Sequence, residues 1–220
     1  MDWLGVSIGS LFLVLVLTLI ASRGRSWLDP KFWRNAAVVS TLAMSAVLLY
    51  LTFDSLSQIA VGGPRVPPFT VINQQIGYAY DAERRYYVPN IGETVSFFGR
   101  LWSEEDAKAL VDLGKATVQS RNCMDCHTLL GNGAYYAPDL TKAWLDPKWE
   151  AIQPVVEAES RETAMQRWLM RPNEFPTWER RMPNLNLSEE EAQAVVAFLK
   201  FMAAIDTNGF PDHFGVSAAP

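Results

Sequence analysis

Two cysteines and two histidines are all that 220 residues provide. A metal centre that needs several histidines therefore cannot be built on this chain. Basic residues are also scarce beyond residue 60, where 15 Lys/Arg stand against 21 Asp/Glu. Such a balance excludes nucleic acid as a partner, since that ligand demands a basic surface. It suits steering of a basic protein partner, although a merely solvated acidic surface has the same balance. Charge is missing altogether from Trp3 to Ala21 and from Asn35 to Phe53. Each run approaches the ~20 apolar residues that cross a bilayer as a helix. No internal repeat and no low-complexity tract is present.

Two spans followed by a water-exposed domain is the economical reading of these runs. The first could instead be a secretory signal peptide, but Met1 and Asp2 supply no positive leading region, which favours a retained span. Between the runs, Arg23, Arg25, Lys31 and Arg34 face only Asp29. The positive-inside rule then places loop 22–34 in the cytoplasm and both termini across the membrane.

The two cysteines stand together with a histidine in Cys123-Met124-Asp125-Cys126-His127. This spacing is the attachment signature of c-type haem. Each thiol can form a thioether to a former vinyl group of the porphyrin, and the next side chain then lies beneath the iron as its proximal ligand. Zinc would need further ligands that only distant carboxylates or His213 could supply. A redox dithiol would need a thioredoxin-like βαβ context that the flanks lack. Bacterial haem attachment of this kind occurs outside the cytoplasm, which agrees with the topology from the loop charges.

The element pattern around the signature is mainly helical. Ser103 caps a helix whose first turn holds Glu104, Glu105 and Asp106 and whose apolar face holds Ala107, Leu110, Val111 and Gly114. Ser188 and Glu191 form a capping box for a last helix with a stripe through Val195, Leu199 and Met202. A shorter helix is expected around 159–170. Residues 57–102 read as a join, with short strands at Phe69–Ile72 and Tyr86–Val88. The organisation expected is an anchor over 1–56 with spans at 3–21 and 35–53, the join, a haem domain over 103–212 and a loose tail over 213–220.

A low-spin electron-transfer haem takes a second axial ligand, and methionine raises its potential. Met165, Met170 and Met202 lie at helical positions and read as packing. Met124 cannot reach across the iron from between the cysteines. Met182 stands in an extended segment before Pro183, where no helix can continue, and is the axial candidate. Arg121, Arg180 and Arg181 could balance haem propionates or simply be solvated. Trp144, Trp149, Trp168 and Trp178 read as core or haem-wall residues.

These features resemble a class I cytochrome c. That resemblance implies a crossing of Gly114 against Phe198 and a Pro138 carbonyl that accepts from the proximal histidine and orients it. The stretch Asn122 to Leu140, with Met182-Pro183-Asn184-Leu185-Asn186-Leu187-Ser188-Glu189 and Ile205-Asp206-Thr207-Asn208, further resembles the haem c subunit of bacterial nitric oxide reductase. Leu129-Leu130-Gly131-Asn132-Gly133-Ala134-Tyr135 is the specific part.

The resemblance implies an inner-membrane protein with its haem domain in the periplasm. Its partners would be a soluble cytochrome c or cupredoxin donor and a large polytopic subunit. That subunit would carry haem b and a haem–non-haem iron centre, where two NO become N2O in denitrification. It also implies a calcium ion near the subunit boundary, contacted at Gly133 and Tyr135. Members of the family typically have one span and a short join, so the second run and residues 60–101 are departures. A membrane-anchored cytochrome of another terminal oxidase or reductase is the alternative. A haem-based gas sensor or assembly factor is the alternative of another class.

Overall fold

The chain divides into two units, Met1–Leu56 and Ser57–Pro220. The computed structural model describes residues 9–10, 12–17, 20, 29–175 and 182–211. In the first unit, residues 12–17 are helical, and the rest of the span expected at 3–21 lies largely outside the described residues. Helix α1, Pro30–Ile59, is longer than the span expected at 35–53 and takes in Lys31 and Arg34 from the expected loop. Asp29 starts it by accepting from the Lys31 amide at 2.9 Å, with proline at the first helical position where no N–H is needed.

Helix α1 has no buried residue, and its apolar side chains point outward all round. A helix with that pattern needs lipid or protein around it. The hydroxyls of Ser40 and Thr52 donate to the Ala37 and Leu48 carbonyls, so neither is left bare in an apolar medium. Among the described residues it is the helix long and apolar enough to cross a membrane.

The second unit starts with a correction. Phe69–Asn73 is a 3-10 helix, not the strand its Phe-Thr-Val-Ile run predicts. The Glu104 carboxylate, 35 positions away, accepts from the Phe69 and Thr70 amides at 3.1 Å each and so caps this turn. Strands β1 (Gln74–Asp81) and β2 (Tyr86–Thr94) then form an antiparallel hairpin, with Ile76 opposite Ile91 and Tyr80 opposite Tyr87. In a two-stranded sheet every strand is an edge, which is why Pro89 sits inside β2 without cost to the ladder.

Helices α2 (Glu104–Ser120), α3 (Lys148–Ile152), α4 (Arg161–Met170) and α5 (Glu189–Ala204) follow. Ser103, Ser160 and Ser188 each cap a helix through the side-chain oxygen, and Ser188 with Glu191 completes the capping box. Strands β3 (Thr128–Leu129) and β4 (Asn132–Gly133) make a small hairpin directly after the haem signature.

One core joins all of this. Val71, Ile72, Ile76, Phe97 and Trp102 from the join are buried in the same cluster as Leu110 and Val111 of α2 and Val195, Val196 and Phe198 of α5. Each such side chain stabilises by ~1.5–3 kcal/mol on leaving water. Asn73 seals the seam, donating to the Trp102 carbonyl at 2.8 Å and accepting from its amide at 2.9 Å. The segment between anchor and signature is thus an integral layer of the second unit. Helices α2 and α5 cross at Gly114, where an added Cβ would lie 1.9 Å from the Ala194 carbonyl oxygen and 2.8 Å from Phe198 Cβ. Only a residue without a side chain permits that approach.

Candidate haem site

The signature begins where α2 ends. Asn122 turns the chain in a left-handed conformation, and Cys123–Asp125 forms a single 3-10 turn. The Cys126 and His127 amides both donate to the Cys123 carbonyl, at 3.3 and 3.0 Å. The turn folds the two cysteines and the histidine onto one short loop. Neither cysteine is in a disulfide, and both are half-buried. Burial pushes the Cys123 thiol up from its ordinary pKa. That is the opposite of the depressed value a redox dithiol or thiolate nucleophile requires.

Around His127 the backbone is over-determined. Its Nδ1 lies 2.7 Å from the Pro138 carbonyl oxygen. A carbonyl can only accept, so the proton resides on Nδ1 and the Nε2 lone pair is left free for a metal. The loop that presents this carbonyl is fastened to the signature at several points. Ala137 and Leu140 amides donate to the Cys126 and Thr128 carbonyls at 2.8 and 2.7 Å. The Thr128 hydroxyl donates to Asp139 at 2.7 Å, and the Leu130 amide to the Thr141 hydroxyl at 2.7 Å. Gly133 closes the hairpin at φ 122°, and a Cβ there would lie 2.2 Å from the His127 carbonyl oxygen. Any side chain at that position would displace the histidine.

Met182 is half-buried, lies outside any helix or strand, and packs on the core together with Cys123, Met124, Leu129 and Leu140. Met165 and Met202 are buried in the core and Met170 is half-buried. Tyr135 is 82% exposed, and its hydroxyl donates to the Gly131 carbonyl at 2.9 Å. No group of three or more His, Cys, Asp or Glu side chains able to hold a metal ion occurs among the described residues. His213, Arg180 and Arg181 lie outside them. Arg121 is already committed: its guanidinium grips both oxygens of Glu191 at 2.7 and 2.8 Å, tying α2 to the capping box of α5.

The residues present suit a haem. The His127 imidazole nitrogen and the Met182 thioether are donors of the kinds that hold iron in cytochromes. Trp168 adds a second observation. Its ring lies edge-on to Trp149, 5.7 Å between centroids, and its Nε1–H is buried with no hydrogen-bond partner among the described residues. A buried donor left unpaired costs ~1–3 kcal/mol. A carboxylate from a bound group, such as a haem propionate, would satisfy it. Sequence reasoning placed Trp168 only as wall or core, because an orphaned donor shows itself only once its neighbours are known.

Residues 111–203 match the cytochrome c family model. The C subunit of nitric oxide reductase from Stutzerimonas stutzeri is 32% identical over 119 residues, which are 54% of this chain and 75% of that protein. The chain belongs to the family of nitric oxide reductase C subunits. The corresponding protein of Paracoccus denitrificans is 34% identical over 101 residues, 44% of this chain and 62% of that protein. That of Halomonas halodenitrificans is 27% identical over 100 residues, 46% and 63% respectively. Family membership makes the second unit a cytochrome c domain that binds haem.

Proposed function

We propose that this chain is the membrane-anchored electron-transfer subunit of a nitric oxide reductase. It accepts electrons from a soluble periplasmic cytochrome c or cupredoxin and delivers them to a polytopic subunit that holds haem b and a haem–non-haem iron centre. There two NO, two electrons and two protons yield N2O and water. No residue of this chain is catalytic in that reaction.

The observation that carries the reading is the His127 Nδ1–H donated to Pro138 at 2.7 Å, beside two unbridged cysteines. Cys123 and Cys126 would attach the porphyrin through thioethers, and His127 Nε2 and the Met182 thioether would hold its iron. Pro138 holds the imidazole in one tautomer and one orientation. When bound, the haem supplies a one-electron carrier. Trp168 Nε1 would donate to a haem propionate.

Residues 1–56 form the anchor, which helix α1 supports with a charge-free stretch over 35–53. At 1.5 Å per residue that stretch is about 28 Å long, close to the hydrocarbon thickness of a bilayer. Residues 57–102 join anchor to haem domain, the domain continues to 212, and 213–220 is a tail. Loop 22–34 faces the cytoplasm and the haem domain the periplasm. A calcium ion at the boundary with the large subunit is a family feature carried over to this chain, and Gly133 and Tyr135 would contact it through their backbone carbonyls.

Purification of the complex tests this. Haem staining of a denaturing gel should mark this chain, and the co-purifying polytopic subunit should contain haem b and non-haem iron. Copper at the partner's second metal position would overturn the assignment to nitric oxide reduction.

A further inference from the structure

Lysine side chains are rarely buried, yet Lys142 has 0% exposure. It follows directly on the Pro138–Thr141 loop that serves His127. Its Nζ donates to the Ile205 carbonyl at 2.6 Å and the Ala203 carbonyl at 3.1 Å, the open acceptors at the end of α5. The same ammonium lies 5.3 Å from the centre of the Tyr78 ring on β1. One side chain therefore fastens the histidine's loop, the last helix and the β1–β2 hairpin. A leucine or methionine would fill the space equally well but could not bind those carbonyls or carry charge.

We propose that Lys142 is a positioning and potential-setting residue of the haem site, holding a buried positive charge that favours the reduced cytochrome. It rests on the haem c electron-transfer reading above. A cation fixed in a low-dielectric interior stabilises the electron-rich state of a nearby redox centre, because little water screens it. Removing the charge lowers the potential.

The charge can also come and go. Burial lowers the Lys142 pKa to about 8, while Asp206 and Asp139 pull it upward. Tyr78 and Asp206, which face this corner, keep their charge near pH 8. Burial pushes Tyr78 up to about 12, so it stays neutral. Asp206 is held ionised by Arg84 at 2.7 Å. Near pH 8, where Lys142 is part neutral in the oxidised domain, gain of an electron raises its affinity for a proton and draws a fraction of a proton from solvent. On re-oxidation the electron passes to the acceptor and that fraction of a proton returns to solvent.

Lys200 is the competing source of such an effect. It is 3% exposed, lies 4.7 Å from the Phe97 ring and 5.0 Å from the Trp144 ring, and is lowered to about 8 by burial, with Glu162 opposing.

Redox titration of the haem-loaded full chain from pH 6.5 to 9.5 decides. The potential of the unaltered protein should be flat below pH 7 and fall across about pH 8. Lys142→Arg, always charged, should keep the high value and lose the fall. Lys142→Met, never charged, should be low and flat over the same range. Absence of a fall in the unaltered protein overturns the proposal. So does its persistence in K142R together with its loss in K200R. K142R carries the decision even if K142M fails to load haem. Absence of covalent haem in the unaltered chain would defeat the electron-transfer reading itself; haem present with a potential indifferent to Lys142 would defeat this inference alone.

Discussion

Gly114→Ala adds one methyl group at the α2–α5 crossing. Its Cβ would meet the Ala194 carbonyl oxygen at 1.9 Å, the Ala194 carbonyl carbon at 2.5 Å and Phe198 Cβ at 2.8 Å. Two of the three obstacles are backbone, so no rotamer change relieves them. The helices must part by roughly 1.5 Å to reach ordinary contact, which opens gaps along the whole α2–α5 seam. Overpacking of a close-packed core costs ~1–3 kcal/mol, and a rigid backbone clash belongs at or beyond the upper end. Alanine recovers ~1 kcal/mol of helix propensity, so the net loss is ~2–4 kcal/mol. In a chain of this size that lowers the melting temperature by roughly 5–15 °C. Urea unfolding of the haem-loaded full chain in detergent, followed by tryptophan fluorescence, measures it. A G114A midpoint within ~0.5 kcal/mol of the parent would refute the crossing as the determinant of α2–α5 packing.

Met182→Ala should lower the haem potential and open a coordination position, seen as a high-spin absorption spectrum and binding of CO to the reduced form; an unchanged spectrum assigns the sixth ligand elsewhere. Cys123→Ala should leave one unreacted vinyl group, shifting the pyridine haemochrome band to the red while haem staining persists through Cys126. Ser188→Ala removes the α5 cap and should cost about 1 kcal/mol by urea unfolding. Glu191 is held below the usual carboxylate range by the Ser188 amide and by Arg121. Its contribution is present at neutral pH and lost as pH falls through that depressed value, so Glu191→Gln should flatten the acid limb of the stability profile. Lys142 and Lys200, also depressed, act with the same sign at higher pH. Between about pH 8 and 10 the unfolded chain holds protons that the folded one has shed, so stability should rise with pH there, and less in K200M.

Local chemistry was the legible part of this fold. Ser103 and Ser188 announce their helices because a cap needs only a hydroxyl beside four unpaired amides, all within a few residues. The signature announces its cofactor for the same reason. Phe69–Asn73 misleads because its β-branched run reads as a strand, whereas the cap that makes it helical is Glu104, remote in sequence. Arg121 reads as a cation for propionates until Glu191 is seen to hold it. Buried lysines were illegible, since composition places lysine at the surface and only the α5 carbonyls explain why Lys142 is inside.

The Asp206 amide donates to the Arg65 carbonyl at 2.9 Å, and Arg84, Asn208 and Tyr86 strap the neighbouring residues to the hairpin. Closing a loop of that length costs ~4 kcal/mol of chain entropy, several times what one such bond returns. The strap therefore cannot form ahead of the helices between its ends. A chain cut after Ile205 would keep its haem signature and lose the bonds from Asp206 and Asn208 that add to the hairpin's hold on the core. The order of the hairpin thus reports whether the far end of the domain has arrived.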